Sequence, residues 1–239
     1  VVKRDDGLRV SEREFELLDI MYRFRFASIK LLQRATGASQ NMTVQQRIDK
    51  LMRNGFIERR YDAKIDKIER RPAAYFLTPR GLNAVATIDE TVPEIAKRLV
   101  YKNKTVSRIF ADRCLKVLEF ALSLEQKTNR PGGFFSPIQL RAFDYFPQPL
   151  PDGFLTTSDD RDGESFFIEY YDASKPAFVH VKKIKKYLEY FDSNEWEATG
   201  MDFPTVLLVC ESEEVKSAIY RKAGYVLDGI EFEVRFVCS

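Results

Sequence analysis

The sequence predicts a chain of mixed α+β and α/β class in two parts: three helices and a two-stranded hairpin, followed by a region in which strands and helices alternate. Three observations predict it. Residues 11–54 carry apolar side chains at helical spacing in three blocks, with capping residues or glycines at their ends. Residues 56–76 hold two alternating segments around a charged tip. Beyond residue 153, short runs rich in Phe, Ile, Val and Tyr alternate with longer helical patterns, the order of an α/β layer.

The first helix begins near Ser11, which forms a capping-box pattern with Glu14, and it carries Phe15, Leu17, Leu18, Met21 and Tyr22. Ser28 caps a second, short helix with Ile29, Leu31, Leu32 and Ala35, ended by Thr36 and Gly37. A third runs from about Asn41 to Asn54, with Val44, Ile48, Leu51 and Met52 on one side and Gly55 as its stop. Phe56–Tyr61 reads as a strand, 62–67 as a charged tip, and Ile68–Phe76 as the returning strand. Three helices and a hairpin are the parts of a winged helix-turn-helix. Thr78 caps one more helix, with Pro79 at its permissive first position.

Residues 87–103 read as a junction, interrupted by Asp89, Glu90 and Pro93, with a short helical segment ending near Val100. From Thr105 to about Gln126 a broad apolar face includes Ile109, Phe110, Cys114, Leu115 and Leu118; it suits burial against a sheet or a second subunit. After a turn-rich break at 128–133, residues 136–146 are aromatic and read as a short helix or irregular packing. A strand follows Pro151-Asp152-Gly153, a polar turn spans 158–163, and 164–171 is a second strand. A helix over about 176–191, a buried strand over 205–210, a helix over 213–223 and a strand over 230–238 complete the pattern.

The chain has 239 residues, 44% of them hydrophobic, enough for one large domain or two modest ones. No run approaches the roughly 18 apolar residues that span a bilayer, and VVKRDDGLRVSEREF lacks an apolar stretch after its basic residues, so a soluble cytoplasmic protein without a membrane partner is expected. Cys114, Cys210 and Cys238 are odd in number and set in apolar sequence, as for buried free thiols. The single histidine, His180, excludes a zinc cluster, while metal binding by carboxylates stays open. Net charge is only +2, yet residues 1–86 hold +7 and the remainder −5, so the N-terminal part is the one expected to meet an anionic partner.

On the third helix, Thr43, Gln45, Gln46, Arg47, Lys50 and Arg53 fall on the wetter sides. They are of the types that read base edges or hold phosphates. On the hairpin, Arg59, Arg60, Lys64, Lys67, Arg70 and Arg71 make a basic wing, interleaved with four acidic residues. The order of QQRIDKLMRNGFIERR, hairpin and AYFLTPRGLNAV resembles many bacterial and phage winged-helix proteins. In the second part, Asp152 and Glu169 stand on neighbouring strands and converge at one sheet edge, an arrangement suited to holding Mg²⁺ against a phosphodiester.

Pro151-Asp152 followed by Glu169 resembles the PD-(D/E)xK nuclease superfamily, which implies a restriction-endonuclease-like α/β domain. That superfamily has a lysine two residues past the glutamate, where this chain has Tyr171. A phenol supplies no positive charge, so Lys182 or Lys186 of the following helix becomes the candidate cation. The whole set, including LPDGFL, FFIEYYDASKP, KIKKYLEYF and TVLLVC, resembles the replication-relaxation family of plasmids, integrative elements and phages.

The resulting expectation has three parts: a winged-helix DNA-binding domain over 1–90, a linker or short helix over 91–104, and a nuclease-like domain over 105–239 that also takes part in dimerisation. The expected function is sequence-specific binding of double-stranded DNA by a homodimer in replication, transfer or transcriptional control, alongside replication or transfer proteins, with a non-catalytic second domain and no cofactor. Two alternatives stand: a Mg²⁺-dependent endonuclease or nicking accessory using Asp152 and Glu169, and a protein-interaction module.

Overall fold

The structure, a computed structural model, describes residues 10–88, 92–128, 133–157, 163–173 and 175–238. The expected turns at 128–133 and 158–163 fall largely outside the described residues, as do Asp89, Glu90 and most of the N-terminal stretch before Ser11. The chain divides into two compact units, Val1–Leu122 and Ser123–Ser239. Among the described residues no helix is long and apolar enough to cross a membrane.

In the first unit, side-chain caps at Ser11, Ser28 and Thr78 start three of the helices. Ser11 and Glu14 form the reciprocal capping box of α1 (Glu12–Phe24), with Ser11 N–H donating to the carboxylate at 2.9 Å. Ser28 caps α2 (Ile29–Thr36), and Gly37, at φ 62°, ends it in the left-handed conformation that glycine adopts without a Cβ clash. In α3 (Asn41–Arg53), Val44, Ile48 and Leu51 are buried as their spacing requires. Met52, expected beside them, is half-buried. β1 (Ile57–Arg60) pairs antiparallel with β2 (Ala74–Leu77), Ile57 facing Leu77. An isolated bridge joins Ala27 to Tyr75, whose amide donates at 2.8 Å; a single bridging residue has no periodicity to announce it. The Thr78 hydroxyl caps α4 (Pro79–Ala86), accepting from Gly81 N–H at 3.2 Å and donating to the Gly55 carbonyl at 2.6 Å. After α5 (Ile95–Lys102) comes α6 (Arg108–Lys127).

The hairpin strands are shorter than 56–61 and 68–76, because the chain between them folds into hydrogen-bonded turns rather than a ladder. The buried Asp66 carboxylate accepts from Asp62 N–H at 2.6 Å and from Arg108 Nη1 at 2.9 Å, and Arg71 N–H returns to the Asp66 carbonyl at 2.8 Å. Ile68, read as a strand residue, is 82% exposed. The domain boundary also differs from expectation: residues 105–122 belong with the first unit rather than the second. Arg108 pairs with Asp62 and Asp66, Asp112 pairs with Arg71, and Phe110 packs edge-on to Phe26 and beneath the Arg25 guanidinium. Ile109, counted on the apolar face, points outward and is exposed.

The second unit is a five-stranded sheet in the order β3-β4-β5-β6-β7. β3 (Phe134–Phe135), β4 (Gly153–Thr156) and β5 (Ser165–Tyr171) are antiparallel; β6 (Thr205–Cys210) and β7 (Val234–Cys238) continue parallel to β5. The parallel pairs are joined through α8 (Ala177–Asp192) and α9 (Glu213–Leu227), the βαβ connection that parallel strands require. A four-residue helix, α7 (Pro137–Leu140), is all the helix in the aromatic segment 136–146. Relative to expectation, α9 runs past 223 to Leu227 and β7 starts at 234 instead of 230. Trp196, on a 3₁₀ turn (Glu195–Thr199), sits among Tyr145, Phe146, Phe154 and Phe167 at ring separations of 5.3–6.0 Å. Gly153 lies against the Phe134 ring, where a Cβ would stand 2.0 Å from a ring carbon. Of the cysteines, Cys210 is buried and Cys114 half-buried; Cys238, expected buried, is exposed at the end of the edge strand β7. This fold, an N-terminal winged-helix region followed by a mixed α/β nuclease-like domain, is the predicted class.

Candidate functional site

The outer surface of α3 remains open. Gln46, Lys50 and Arg53 are exposed, while Thr43, Gln45 and Arg47 are half-buried. Their freedom differs. Gln45 Nε2 donates to Asp49 Oδ1 at 2.8 Å, and Arg53 Nε bonds the Asp49 carbonyl at 3.3 Å. Lys50 Nζ lies 2.7 Å from Glu14 Oε1, a carboxylate whose side chain is 5% exposed. Burial pushes the Glu14 carboxyl up, but Lys50 and the Ser11 donors more than offset it and hold it below the ordinary value. Lys50 is therefore a structural counter-ion as well as a surface cation, contrary to a purely solvent-facing reading. Gln46 and Arg47 hold no hydrogen bond or ion pair among the described residues.

On the hairpin, Arg59, Lys64, Lys67 and Arg70 are exposed, and Arg59 stacks over Tyr61 with its guanidinium 5.7 Å from the ring centre. Arg60 is half-buried, with Nη1 buried and lacking a hydrogen-bond acceptor among the described residues. Arg71 differs from the rest of the wing set. Its guanidinium is held by Glu69 at 2.7 Å and by Asp112, so its charge is committed inside the unit.

In the second unit, β4 and β5 do bring Asp152 and Glu169 together. Asp152 N–H donates to the Ile168 carbonyl at 2.9 Å, and an Asp152 carboxylate oxygen accepts from Tyr170 N–H at 2.8 Å. Glu169 is fully buried. Its Oε1 accepts from the Tyr187 hydroxyl at 2.6 Å and its Oε2 lies 2.5 Å from Lys183 Nζ. Burial pushes the Glu169 carboxyl up to about 7, with Lys183 opposing and the Asp152 charge reinforcing the rise. Burial, then the Glu169 charge, holds the Tyr187 phenol well above its ordinary range, so it acts as a donor only.

The cation is thus Lys183, not Lys182 or Lys186, which are exposed; Lys186 pairs with Glu189 instead. The signal lay in the helical period. His180, Ile184 and Tyr187 are the buried side of α8, and position 183, three after the first and four before the last, shares that side.

These residues do not fit a resident divalent ion. Glu169 Oε1 accepts from Tyr187, while Oε2 is buried without an aligned hydrogen bond and is held by the Lys183 ammonium alone; an ion would have to displace Lys183 from a carboxyl with no exposed surface. Among the described residues there is also no group of three or more His, Cys, Asp or Glu side chains placed to hold a metal. The arrangement is a closed acid–ammonium–phenol cluster.

The replication-relaxation family model matches residues 18–206. No curated protein gives a match. Among solved structures, the crystal structure of a MarR family transcription regulator is 22% identical, covering 49% of this chain and 72% of that chain with a TM-score of 0.29.

Proposed function

The chain belongs to the replication-relaxation family, and on that premise we propose that it is a sequence-specific double-stranded DNA-binding protein of a plasmid, integrative element or phage. It acts in replication, transfer or transcriptional control. The first unit carries the contact: α3 enters the major groove, Gln46 and Arg47 read base edges, and Arg59, Lys64, Lys67 and Arg70 hold phosphates beside it. The observation that supports this most is the open outer face of α3, on which Gln46 and Arg47 have no internal partner among the described residues. A homodimer sets two such helices on half-sites one helical turn apart.

The second unit serves as a folded, non-catalytic domain. The closed cluster around Glu169 supports that reading over a metal-dependent endonuclease, because its carboxylate is already committed to Lys183 and Tyr187. Selection of bound fragments from a random duplex library, followed by footprinting and light scattering on the selected site, tests the proposal. A preferred site whose binding weakens steeply with added salt is expected. Failure to enrich any duplex, or enrichment undiminished by Arg47→Ala together with Gln46→Ala, refutes it.

A further inference from the structure

Away from the Glu169 cluster, α8 and α9 carry an open depression of about 360 Å³. It is lined by Phe178, Val181, Lys182 and Lys185 from α8 and by Lys222 and Tyr225 from α9. Its composition is the informative feature. Phe178 is 63% exposed and Tyr225 69% exposed, so two aromatic rings stand in water on one small patch. No carboxylate lines it. Lys182 and Lys222 hold no ion pair among the described residues, and Lys185 Nζ sits 4.9 Å from the Tyr225 ring centre.

We propose that this patch binds single-stranded DNA, with bases stacked on Phe178 and Tyr225 and phosphates held by Lys182, Lys185 and Lys222. Exposed rings interleaved with cations that no carboxylate neutralises match a strand whose bases are unstacked, since each base offers a flat face and each linkage an anion. A duplex keeps those faces inside its own stack and would satisfy the lysines alone. Membrane binding scales with the apolar area inserted, and here that area is two rings, because the aliphatic member of the lining, Val181, is 5% exposed. The choice of DNA over RNA rests on the duplex-binding reading of the first unit; the stacking and charge complementarity do not. Such a patch would hold one strand where the protein's duplex target is opened or nicked.

The test uses the full chain and fluorescence anisotropy with a labelled oligothymidylate of about 12 nucleotides, inside the site sizes usual for single-strand surfaces. A duplex probe is titrated in parallel. Phe178→Ala with Tyr225→Ala is expected to weaken oligothymidylate binding about tenfold or more while leaving duplex binding and the melting temperature unchanged. Lys182→Gln with Lys222→Gln should also weaken it and flatten its salt dependence. Ultraviolet crosslinking of the unaltered chain should map to the peptides holding Phe178 or Tyr225, a readout independent of variant folding.

The proposal is overturned if oligothymidylate does not bind at low salt, or if both double variants bind it as well as the parent. It also falls if oligouridylate or anionic phospholipid vesicles compete more strongly than oligothymidylate. Loss of single-strand binding in Arg47→Ala would place that strand on α3 and refute the patch. Duplex binding that fails while oligothymidylate still binds through Phe178 and Tyr225 would instead sink the reading of the first unit and leave this one standing.

Discussion

Replacing Lys183 by methionine removes the cation from a carboxylate that has no access to water. Removing one partner of a buried pair costs about 3–5 kcal/mol, because the other charge is left without water or counter-ion. The Lys183 side chain keeps 21% of its exposure and so already has some solvation, which puts the loss near the lower end, about 3 kcal/mol at about pH 8. At about pH 5 the native Glu169 carboxyl, with its pKa near 7, is already protonated. Lys183 then faces a neutral acid, and the loss shrinks to about 1 kcal/mol, the size of an ordinary hydrogen bond. The penalty must therefore grow as pH rises. Trp196, the one tryptophan of the chain, is buried in the aromatic cluster of the second unit, so urea unfolding followed by its fluorescence reads this unit directly. Equal penalties at the two pH values, or one below about 1 kcal/mol at the higher, would refute the buried-pair reasoning.

Glu169→Gln gives a complementary test. The native carboxyl is raised from 4.5 to about 7, so its stabilising contribution is complete below pH 4.5 and is lost as pH rises through about 7. That change amounts to about 3 kcal/mol. The glutamine variant should lose this slope in urea titrations across that range. In the first unit, Lys50→Ala is expected to lower stability by about 1 kcal/mol by stripping Glu14 of its counter-ion, a value already reduced for the half-exposed ammonium. Arg47→Ala should leave thermal unfolding unchanged and weaken duplex binding in gel shifts. Gly81→Ala would place a Cβ 2.1 Å from the Phe56 carbonyl oxygen, a backbone atom that cannot swing aside; a loss of about 3 kcal/mol in thermal circular dichroism is expected. A fully tolerated alanine would contradict the close packing of α4 against the start of β1.

How much was legible depended on how local the cause was. Ser11, Ser28 and Thr78 each act on the amide three residues on, so the starts of α1, α2 and α4 are legible directly. The hairpin strands are shorter than the alternation at 68–76 suggests, because that pattern carries no sign of Asp66, whose carboxylate gathers Asp62 N–H and Arg108 into turns. The domain boundary is similarly hidden: the apolar stripe of α6 says that it is buried, not against what. In the candidate cluster, Asp152 and Glu169 were found from their places on paired strands. Residue type does not separate Lys183 from Lys182 and Lys186; its place on the buried side of α8, between His180 and Tyr187, does.

By itself, the sequence determined the order of most elements, the capped helices, the open polar face of α3 and the convergence of Asp152 with Glu169 across one hairpin, since each follows from local spacing; the two-residue edge strand β3 is too short to carry such a signal. Only the tertiary structure decided which charges are free. Lys50, Arg71 and Lys183 look like their exposed neighbours in the chain, yet each is held by a carboxylate from a distant segment, Glu14, Asp112 or Glu169. Whether a cation is available to a ligand depends on what folding places within a few ångströms of it, and that distance is set by packing rather than by position in the chain.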